Sequence, residues 1–452
     1  MITTTNPYTS EKLKDYKTLS DAQIAHSIEQ SHFAFLEWRK TSFAERAQKM
    51  KKLAGILQDN KKVYAATISL EMGKPITQAI AEIEKCSWVC EFYAEKAAVF
   101  LANESIETDA STSYIKFDPL GVILAVMPWN YPFWQVFRFA VPALMAGNAA
   151  ILKHASSVMG SAIHIEQAFK DADFPSYTFQ NMIVKSEKVE KIIKNKYVRA
   201  VTLTGSKSAG VAVASAAARQ IKKSVLELGG SNAFIVSENA NLDRAIEVAV
   251  DARFQNTGQS CIAAKRLLLH QNIAENFLTK FLIKIKQLKS GDPLKEETYI
   301  GVMAREDLAE ELERILRDSI DMGAQLVLGG QRKGAYFEPT VVTNATMEMP
   351  VFKEETFGPV IGIATFKELS EAIEIVNTSD FGLGVTLFSE DKKEIEAAIP
   401  QFDDGAVFIN EKVKSDPRLP FGGTKISGYG RELSYFGIRE FVNIKTVYYH
   451  SD

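Results

Sequence analysis

Cys261 stands in a segment whose small and polar residues suit a reactive thiol. The segment reads Gln-Asn-Thr-Gly-Gln-Ser-Cys over residues 255–261, and a helix predicted over 241–255 runs into it. Thr257 and Gly258 are expected to end that helix, which leaves the thiol at a turn where it can be reached and ionised. On this context alone a nucleophile and a buried structural cysteine are equal alternatives, because free cysteines are usually buried.

Glu227 lies at the end of one predicted buried strand, and Asn130 follows another, beyond whose carboxyl end open α/β sheets bind ligands. Glu227 is flanked by two leucines, so partial desolvation should raise its pKa into the range of a general base. The alternative is an acid that is only solvated or paired near the following Gly-Gly turn. Asn130 lies between two prolines, which would hold its amide as a fixed donor for a developing oxyanion. A rigid turn without a catalytic role is the alternative there.

Residues 205–210, Gly-Ser-Lys-Ser-Ala-Gly, form a candidate phosphate site. They follow a predicted strand and open a helix, so the backbone amides of Gly205 and Ser206 could receive a phosphate at the helix N-terminus. The spacing matches neither the dinucleotide-binding G-x-G-x-x-G pattern nor a Walker A loop. By itself, this segment is therefore only a weak indication of phosphate binding.

These candidates lie on an alternation of short apolar strands and amphipathic helices. A helical region over 20–100, broken into two long helices by Gly73-Lys74-Pro75, precedes an exposed strand over 113–117. Strands are then predicted over 121–127, 149–152, 198–204 and 225–228, and in a second series over 233–236, 266–270, 360–366, 384–388 and 406–409. Helices fall at 211–219, 241–255, 272–288, 305–322 and 369–377, and a last strand at 444–449. The pattern indicates an α/β fold with two doubly wound sheets.

Composition and charge exclude several classes of partner. The 452 residues carry 53 Lys+Arg against 56 Asp+Glu, which gives no electrostatic case for nucleic acid or an anionic membrane. No apolar run reaches the roughly 18 residues of a membrane helix, and no secretory signal is visible at the N-terminus. Three cysteines, of which Cys86 and Cys90 are assigned to core packing, fit the reducing cytosol, and no metal site is predicted.

Taken in order, the candidate segments resemble the motifs of the aldehyde dehydrogenase superfamily. The matching segments are PWNYP (128–132), ILKHASS (151–157), TGSKSAG (204–210), LELGG (226–230), NTGQSC (256–261), EETFGPV (354–360) and PFGGTKISGYGRE (420–432). The resemblance implies that Cys261 adds to a small aldehyde, giving a thiohemiacetal and then a thioester. It also implies that Asn130 and the Cys261 backbone N–H hold the oxyanion, and that Glu227 activates the water that releases the acid.

The resemblance further implies a nicotinamide dinucleotide and its contacts. Lys153 matches a ribose-binding lysine, and Gly205 and Ser206 match the pyrophosphate turn. Glu355 and Phe357 match the acid and the aromatic residue at the nicotinamide ribose, and Trp129 would line the same cleft. NAD-preferring relatives often carry a glutamate where this sequence has Ser156, and a carboxylate there would repel a 2′-phosphate. NADP is therefore the expected cofactor, with NAD not excluded.

The substrate expectation depends on the helix predicted after Asn130, where Tyr131, Trp134 and Arg138 share one face. An arginine amid apolar residues needs a partner, and a substrate carboxylate is one; a surface arginine is the alternative. Arg138 matches the arginine that holds the distal carboxylate in succinate-semialdehyde dehydrogenases, and Trp134 and Ser415 are expected to contact the same substrate. A second arginine of some members is replaced here by Gln255, and the nearby Arg253 does not inherit its role.

The resemblance implies a cofactor-binding α/β domain over 1–100 and 120–229, a catalytic α/β domain over 230–430, and oligomerisation strands over 101–119 and 431–452. The last strands would extend a neighbour's catalytic sheet in a homodimer or homotetramer. Other functions remain open: oxidation of another small aldehyde, acyl transfer to coenzyme A, ester hydrolysis, or a catalytically silent homologue. A coenzyme A requirement, ester hydrolysis indifferent to NAD(P), and an unreactive thiol would identify the last three.

Overall fold

The computed structural model describes residues 1–451 and begins with a hairpin and three helices. These elements are β1 (Ile2–Thr5), β2 (Lys12–Tyr16), α1 (Asp21–Trp38), α2 (Phe43–Met72) and α3 (Ile76–Phe100). The predicted break is confirmed, because Gly73 ends α2 with a left-handed φ of 74°. The prediction of only two long helices is wrong, since Ser42 and Glu45 form a capping box that starts α2 soon after Trp38.

The next segment alternates strands and helices and builds a parallel sheet. Its elements are β3 (Glu104–Ser105), β4 (Thr112–Pro119), β5 (Val122–Met127), α4 (Trp134–Met145), β6 (Ala149–His154), α5 (Met159–Asp171), β7 (Phe179–Asn181), α6 (Val189–Lys194), β8 (Val198–Thr204), α7 (Lys207–Ala218) and β9 (Lys223–Glu227). Five of the strands lie side by side in the order β9-β8-β5-β6-β7, all parallel.

Helices cover both faces of this first sheet. Along β5 the side chains alternate: Ile123 and Ala125 enter a core shared with α2, α3, α4 and α5, and Val122 and Leu124 enter a core shared with α1, α6 and α7. A strand that is buried on both faces reads as a continuous apolar run, which is why its position was visible in the sequence.

The remainder of the chain builds a second sheet and a small third one. Its elements are β10 (Asn232–Val236), α8 (Leu242–Phe254), β11 (Ala264–His270), α9 (Ala274–Lys286), α10 (Glu306–Asp321), β12 (Gln325–Leu328), β13 (Arg332–Lys333), β14 (Tyr336–Phe337), β15 (Thr340–Thr343), α11 (Pro350–Lys353), β16 (Val360–Phe366), α12 (Leu369–Asn377), β17 (Phe381–Gly382), β18 (Val385–Phe388), α13 (Lys392–Ala398), β19 (Val407–Ile409), β20 (Thr424–Lys425), β21 (Gly428–Tyr429), α14 (Ser434–Arg439) and β22 (Val442–Tyr449). Short 3-10 turns occur at 156–158, 186–188, 255–258 and 399–401.

The second sheet has seven strands in the order β12-β15-β16-β11-β10-β18-β19, and only β12 is antiparallel to its neighbour. Side chains of β10 again alternate between two cores, one with α10 and α12 and one with α8 and α9. The predicted class of two doubly wound sheets is thus confirmed. Among residues 1–451, none of the helices combines the length and the apolar character needed to cross a membrane.

Two C-terminal strands join earlier parts of the chain. β21 adds an antiparallel edge to the first sheet beside β9, and β22 pairs with β4 over eight residues in a sheet ordered β22-β4-β3. Ile444 and Tyr449 on β22 are 62% and 60% exposed, so this edge strand carries uncovered apolar side chains. Asp452, the last residue of the predicted oligomerisation strands, lies outside the described residues.

Candidate active site

The predicted site residues come from facing edges of the two large sheets. Parallel strands of the first sheet end together, so Asn130, Lys153 and Glu227 share its carboxyl edge with the turn at Gly205 and Ser206. The second sheet contributes residues that precede its strands: Cys261 before β11 and Glu355 before β16. Hydrogen bonds join the two edges, including the Asn130 side-chain amide, which donates to the Gln259 carbonyl at 3.2 Å.

Cys261 lies beyond a sharp turn that the sequence indicated. α8 ends at Phe254, and the buried Asn256, Thr257 and Gly258 have φ values of 56°, 54° and 72°. Left-handed backbone at two non-glycine residues is strained, and such strain is typical of functional loops. The thiol is partly exposed and lines a cavity, whereas Cys86 and Cys90 are fully buried in the core, as predicted.

The surroundings of Cys261 hold its thiol in the protonated form. Burial raises the pKa of Cys261, and the positive charges of Arg138 and Lys265 oppose that rise only in part. The turn therefore makes the thiol reachable, as expected, but the free protein does not stabilise the thiolate that the sequence interpretation assumed. A base must take the proton before or during attack.

Asn130 is fixed against the nucleophile loop. Its side chain is 4% exposed, and the side chain of Asn256 donates to the carbonyls of both Asn130 and Gln259, at 2.9 and 3.0 Å. The Asn130 amide nitrogen carries two N–H groups, and only one bond from it, to Gln259, is present among residues 1–451. A second donor thus remains on a rigid amide near Cys261, which is what an oxyanion requires.

The start of α4 is held by a buried carboxylate from α3. Glu82 accepts hydrogen bonds from the backbone N–H groups of Phe133 and Trp134 at 2.9 and 3.0 Å, and it pairs with Lys74, which is itself fully buried. The Lys74 ammonium also lies 3.7 Å from the centroid of the Tyr131 ring. This arrangement fixes the loop that carries Asn130.

Glu227 is buried and has no hydrogen-bond partner among the described residues at either carboxylate oxygen. Desolvation raises its pKa well above the usual range; the charge of Arg138 opposes the rise, and that of Glu432 adds to it. The expected desolvated carboxylate is therefore present. In its ionised form such a carboxylate is a stronger base than one in water and can take a proton from a water molecule.

Arg138 lines the cavity beside Cys261 and pairs with a carboxylate of the same chain. Its Nε forms an ion pair with Glu432, its Nη2 donates to Thr204 at 3.3 Å, and its guanidinium lies 4.4 Å from the Phe421 ring centroid. The remaining nitrogen, Nη1, has no hydrogen-bond partner in the part of the chain that the structure describes. Arg138 is 1% exposed, so the alternative of a surface arginine is wrong.

The cavity beside Cys261 has a volume of about 460 Å³. Trp134, Arg138 and Ser415, the three predicted substrate residues, line it together with Lys85 and Gln255. Arg253 does not reach it: that side chain is fully buried and donates to the Thr356 carbonyl at 3.0 Å. The structure thus brings the predicted substrate residues and the thiol to one cavity.

A second cleft follows the edge of the first sheet. Lys153 lines both a cavity of about 280 Å³ above β8 and α7 and one of about 670 Å³ that also contains Trp129 and Ser156. Ser206 caps α7, its Oγ accepting from the Ala209 N–H at 3.3 Å. A Cβ added at Gly205 would come within 3.6 Å of the Leu203 side chain, an ordinary van der Waals contact. Thr3 and Asn6 of the N-terminal hairpin also line the larger cavity, which the sequence did not predict.

Glu355 and Phe357 connect this cleft to the thiol. Glu355 accepts from the Gly230 N–H at 3.0 Å and from Lys265 at 2.8 Å, and Lys265 also donates to the Cys261 carbonyl at 2.9 Å. Phe357 meets the Trp129 ring edge-on, with centroids 5.6 Å apart. Lys265 was missed in the sequence because it lies inside the strand β11, where nothing marks a buried lysine as functional.

Glu432 and Lys85 were also missed as site residues. Glu432 is the last residue of the matched segment 420–432, but no spacing rule connects it to Arg138, 294 positions away. Lys85 interrupts the apolar residues of α3 between Glu82 and Val89, and that interruption was the available signal. Among residues 1–451, no group of three or more His, Cys, Asp or Glu is arranged to hold a metal ion.

Comparison with known proteins agrees with this arrangement. Residues 1–447 match the aldehyde dehydrogenase family. The chain is 46% identical over 450 residues to a probable succinate-semialdehyde dehydrogenase [NADP(+)] of Synechocystis sp., covering 99% of both chains. It is 45% identical over 454 residues to a succinate-semialdehyde dehydrogenase [NADP(+)] of Mycobacterium avium, covering 99% of this chain and 96% of the relative. The crystal structure of succinic semialdehyde dehydrogenase from Streptococcus pyogenes in complex with NADP+ superimposes with a TM-score of 0.97 at 35% identity, covering 100% of both chains. The chain therefore belongs to the aldehyde dehydrogenase family.

Proposed function

We propose that this chain oxidises succinate semialdehyde to succinate, with NADP+ as the hydride acceptor and a thioester on Cys261 as intermediate. The observation that carries the proposal is the cavity that places Cys261 and the cationic Arg138 and Lys85 on one set of walls. An aldehyde that reacts at the thiol while its far end meets positive charge is a short aldehyde with a distal carboxylate. The relatives at 45–46% identity bear this activity in their names.

In the first step the Cys261 thiol gives its proton to solvent water, its sulfur adds to the aldehyde carbon, and the carbonyl oxygen becomes an alkoxide. The alkoxide accepts from the Asn130 side-chain amide and from the Cys261 backbone N–H. Because Asn256 and Gln259 hold the Asn130 amide in place, it needs no reorganisation as charge develops. Collapse of the alkoxide expels hydride from the carbon and leaves the acyl group on sulfur.

The cleft along the first sheet suits NADP+, which supplies the hydride acceptor at C4 of its nicotinamide ring. Lys153 is buried and has no ion-pair partner in the described chain, so its ammonium is available to the adenosine ribose and its phosphate. Ser156 is exposed at the same cleft and offers a neutral hydroxyl. The turn at Gly205 and Ser206 opens α7, where backbone amides and the helix dipole favour the pyrophosphate.

In the second step Glu227 takes a proton from water, which attacks the thioester carbon and expels the Cys261 thiolate. The raised pKa of Glu227 gives this carboxylate the basicity that the step needs. The positive charge of Arg138 lowers the pKa of Glu227 and the negative charge of its partner Glu432 raises it, so Arg138 limits how far the pKa rises. The products are the carboxylic acid, reduced cofactor and free enzyme.

The decisive experiment is an initial-rate panel of succinate semialdehyde, butanal, hexanal and benzaldehyde, each with NAD+ and NADP+. The proposal expects the highest kcat/KM for succinate semialdehyde with NADP+, without coenzyme A. A coenzyme A requirement, or equal kcat/KM for butanal, would contradict it.

Replacing Ser156 by glutamate should lower kcat/KM for NADP+ by roughly 100-fold, because the new carboxylate repels a 2′-phosphate. The same variant should keep NAD+ use within a few-fold of the parent. Ser156→Ala is the matched control, since it removes the hydroxyl without adding charge. Unchanged NADP+ kinetics in Ser156→Glu would show that the phosphate binds elsewhere.

Removing Arg138 should reduce activity selectively on aldehydes with a distal carboxylate. Because Arg138→Met alone strands the buried Glu432, the informative variant is Arg138→Met with Glu432→Gln, compared with Glu432→Gln alone. We expect kcat/KM for succinate semialdehyde to fall by roughly 10- to 100-fold more than that for hexanal, since a charge-assisted hydrogen bond is lost. Equal losses on both aldehydes would contradict the role of Arg138.

We also propose a homodimer or homotetramer working in the cytosol. β22 is an edge strand with exposed apolar side chains, and β19 is the edge strand of the second sheet. Each edge has unpaired backbone N–H and C=O groups that could form hydrogen bonds with the other. Joining β22 of one subunit to β19 of another would cover both. Light scattering after size exclusion tests the proposal, and a monomer at micromolar concentration would reject it. The three free thiols suit a reducing compartment.

A further inference from the structure

Five cationic side chains line the cavity beside Cys261, and they differ in whether a carboxylate of the same chain pairs with them. Four of them have a carboxylate partner of their own: Arg138 with Glu432, Lys412 with Asp251, Lys414 with Glu411, and Arg418 with Asp416. The fifth, Lys85, forms no ion pair with any described residue. Lys85 is partly buried in the cavity wall, and partial removal of an ammonium from water without a counter-ion is unfavourable unless another group compensates it.

Lys85 projects from α3 and is held in a defined position. Its Nζ donates to Ser415 Oγ at 2.7 Å and lies 4.2 Å from the centroid of the Trp134 ring. An ammonium group has three N–H donors, and only one of them is used by a hydrogen bond to the described residues. Burial, and after it the charge of Arg138, lowers the pKa of Lys85 to about 8. The group thus lacks the anion that would stabilise its charge.

Gln255 adds no positive charge to the lining of the cavity. It lines the cavity, is neutral and accepts from Lys412 at 3.4 Å. Arg138 Nε is paired with Glu432, and one N–H of its Nη2 donates to Thr204. Arg138 keeps N–H groups on Nη1 and Nη2 for a substrate carboxylate, but its charge is already paired with Glu432, whereas the charge of Lys85 has no carboxylate partner among the described residues.

We infer that Lys85 is a specificity-determining residue that binds one oxygen of the substrate's distal carboxylate, with Ser415 holding its ammonium in place. Arg138 Nη1 binds the other oxygen. This inference rests on the proposed function, because it assumes a substrate that carries such a carboxylate.

A pH signature follows from the groups around Lys85. Those facing it are Arg138 on α4, Lys412, Asp416 and Arg418 on the C-terminal loop, and Glu82 and Cys86 on its own helix. Burial raises the pKa of Cys86 well above its usual range and lowers the pKa of Lys85 to about 8. Arg138, Lys412 and Arg418 each form an ion pair with a carboxylate. As pH rises through 8, Lys85 loses its charge and carboxylate binding weakens.

The test is the ratio of kcat/KM for succinate semialdehyde to kcat/KM for butanal, both four-carbon aldehydes. The ratio cancels the titration of Cys261, which both substrates share. In the unmodified enzyme it should fall as pH rises above about 8, and in Lys85→Met it should be roughly 10- to 100-fold lower at pH 7 and independent of pH. Lys85→Arg should keep the ratio high and move its decline to higher pH.

Lys96→Met is the matched control, because it removes a lysine charge from an exposed site on the same helix. Its ratio should equal that of the parent. If Lys85→Met fails to fold, Lys85→Gln and the pH profile of the unmodified enzyme still decide the question. A ratio near one in the unmodified enzyme would overturn the proposed function itself. A high parental ratio that is unaffected by Lys85→Met, or equal losses on both aldehydes, would overturn the role of Lys85 alone.

Discussion

Replacing Cys261 by serine is expected to lower NADP+ reduction by roughly 10⁴-fold or more, since loss of a covalent nucleophile has effects of this order. A serine hydroxyl ionises far less readily than a thiol, and the pKa of Cys261 itself is already raised by burial. The variant therefore cannot form the first adduct at a useful rate. NADPH formation with saturating succinate semialdehyde measures the loss.

The control for this variant is Cys90→Ala, which removes a thiol that is buried in the core and lines neither the cavity beside Cys261 nor the cofactor cleft. Its turnover should equal that of the parent after correction for folded protein. Binding of NADP+ to Cys261→Ser should persist, because the residues of the cofactor cleft are unchanged. Parental NADPH formation by a folded, cofactor-saturated Cys261→Ser variant would refute the thioester mechanism.

Replacing Glu227 by glutamine should lower steady-state turnover by roughly 10²- to 10⁴-fold, the usual contribution of a positioned base. The first turnover should survive, because addition and hydride loss precede the step that needs activated water. Rapid mixing should therefore show a burst close to one NADPH per active site, followed by a slow phase. Absence of the burst would move Glu227 to the first step as the base that activates Cys261.

The pH profile provides a second measurement on Glu227. Its carboxylate must be ionised to act as a base, so kcat should fall as pH drops through its raised pKa, and Glu227→Gln should lack this acid limb. Glu440→Gln is an informative control, since the charge of Glu440 also raises the pKa of Glu227 from outside the cavity. Its acid limb should move to lower pH while turnover at high pH is retained.

Buried strands were the part of the fold that the sequence predicted best. β8 and β16 have the residue bounds predicted for them, because apolar runs between turns are unambiguous when both faces are covered. The hairpin of β1 and β2 and the edge strand β12 were missed, since their residues are largely polar or exposed. The start of α2 was missed although Ser42 and Glu45 spell a capping box.

In the site, too, the features set by neighbouring residues in the sequence could be predicted, and those set by distant segments could not. Desolvation of Glu227 follows from its neighbours in the strand, and the turn before Cys261 follows from Thr257 and Gly258. The partner of Arg138 and the raised pKa of Cys261 depend on chain segments that meet only after folding. Spacing rules describe a single element, so they could not predict either.

The carboxylate of Glu82 at the start of α4 bears on the order in which the molecule acquires its structure. The residue before α4, Phe133, makes no side-chain cap of its own, and the first N–H groups of the helix depend on an acid about fifty positions earlier. Contacts between such distant segments close late, after the helical hairpin of α2 and α3 has formed locally. The loop bearing Asn130 thus takes its final position only after α3 has packed against α4, and loosening of the first 100 residues would free the oxyanion donor and also uncover the face of β5 that α2 and α3 cover.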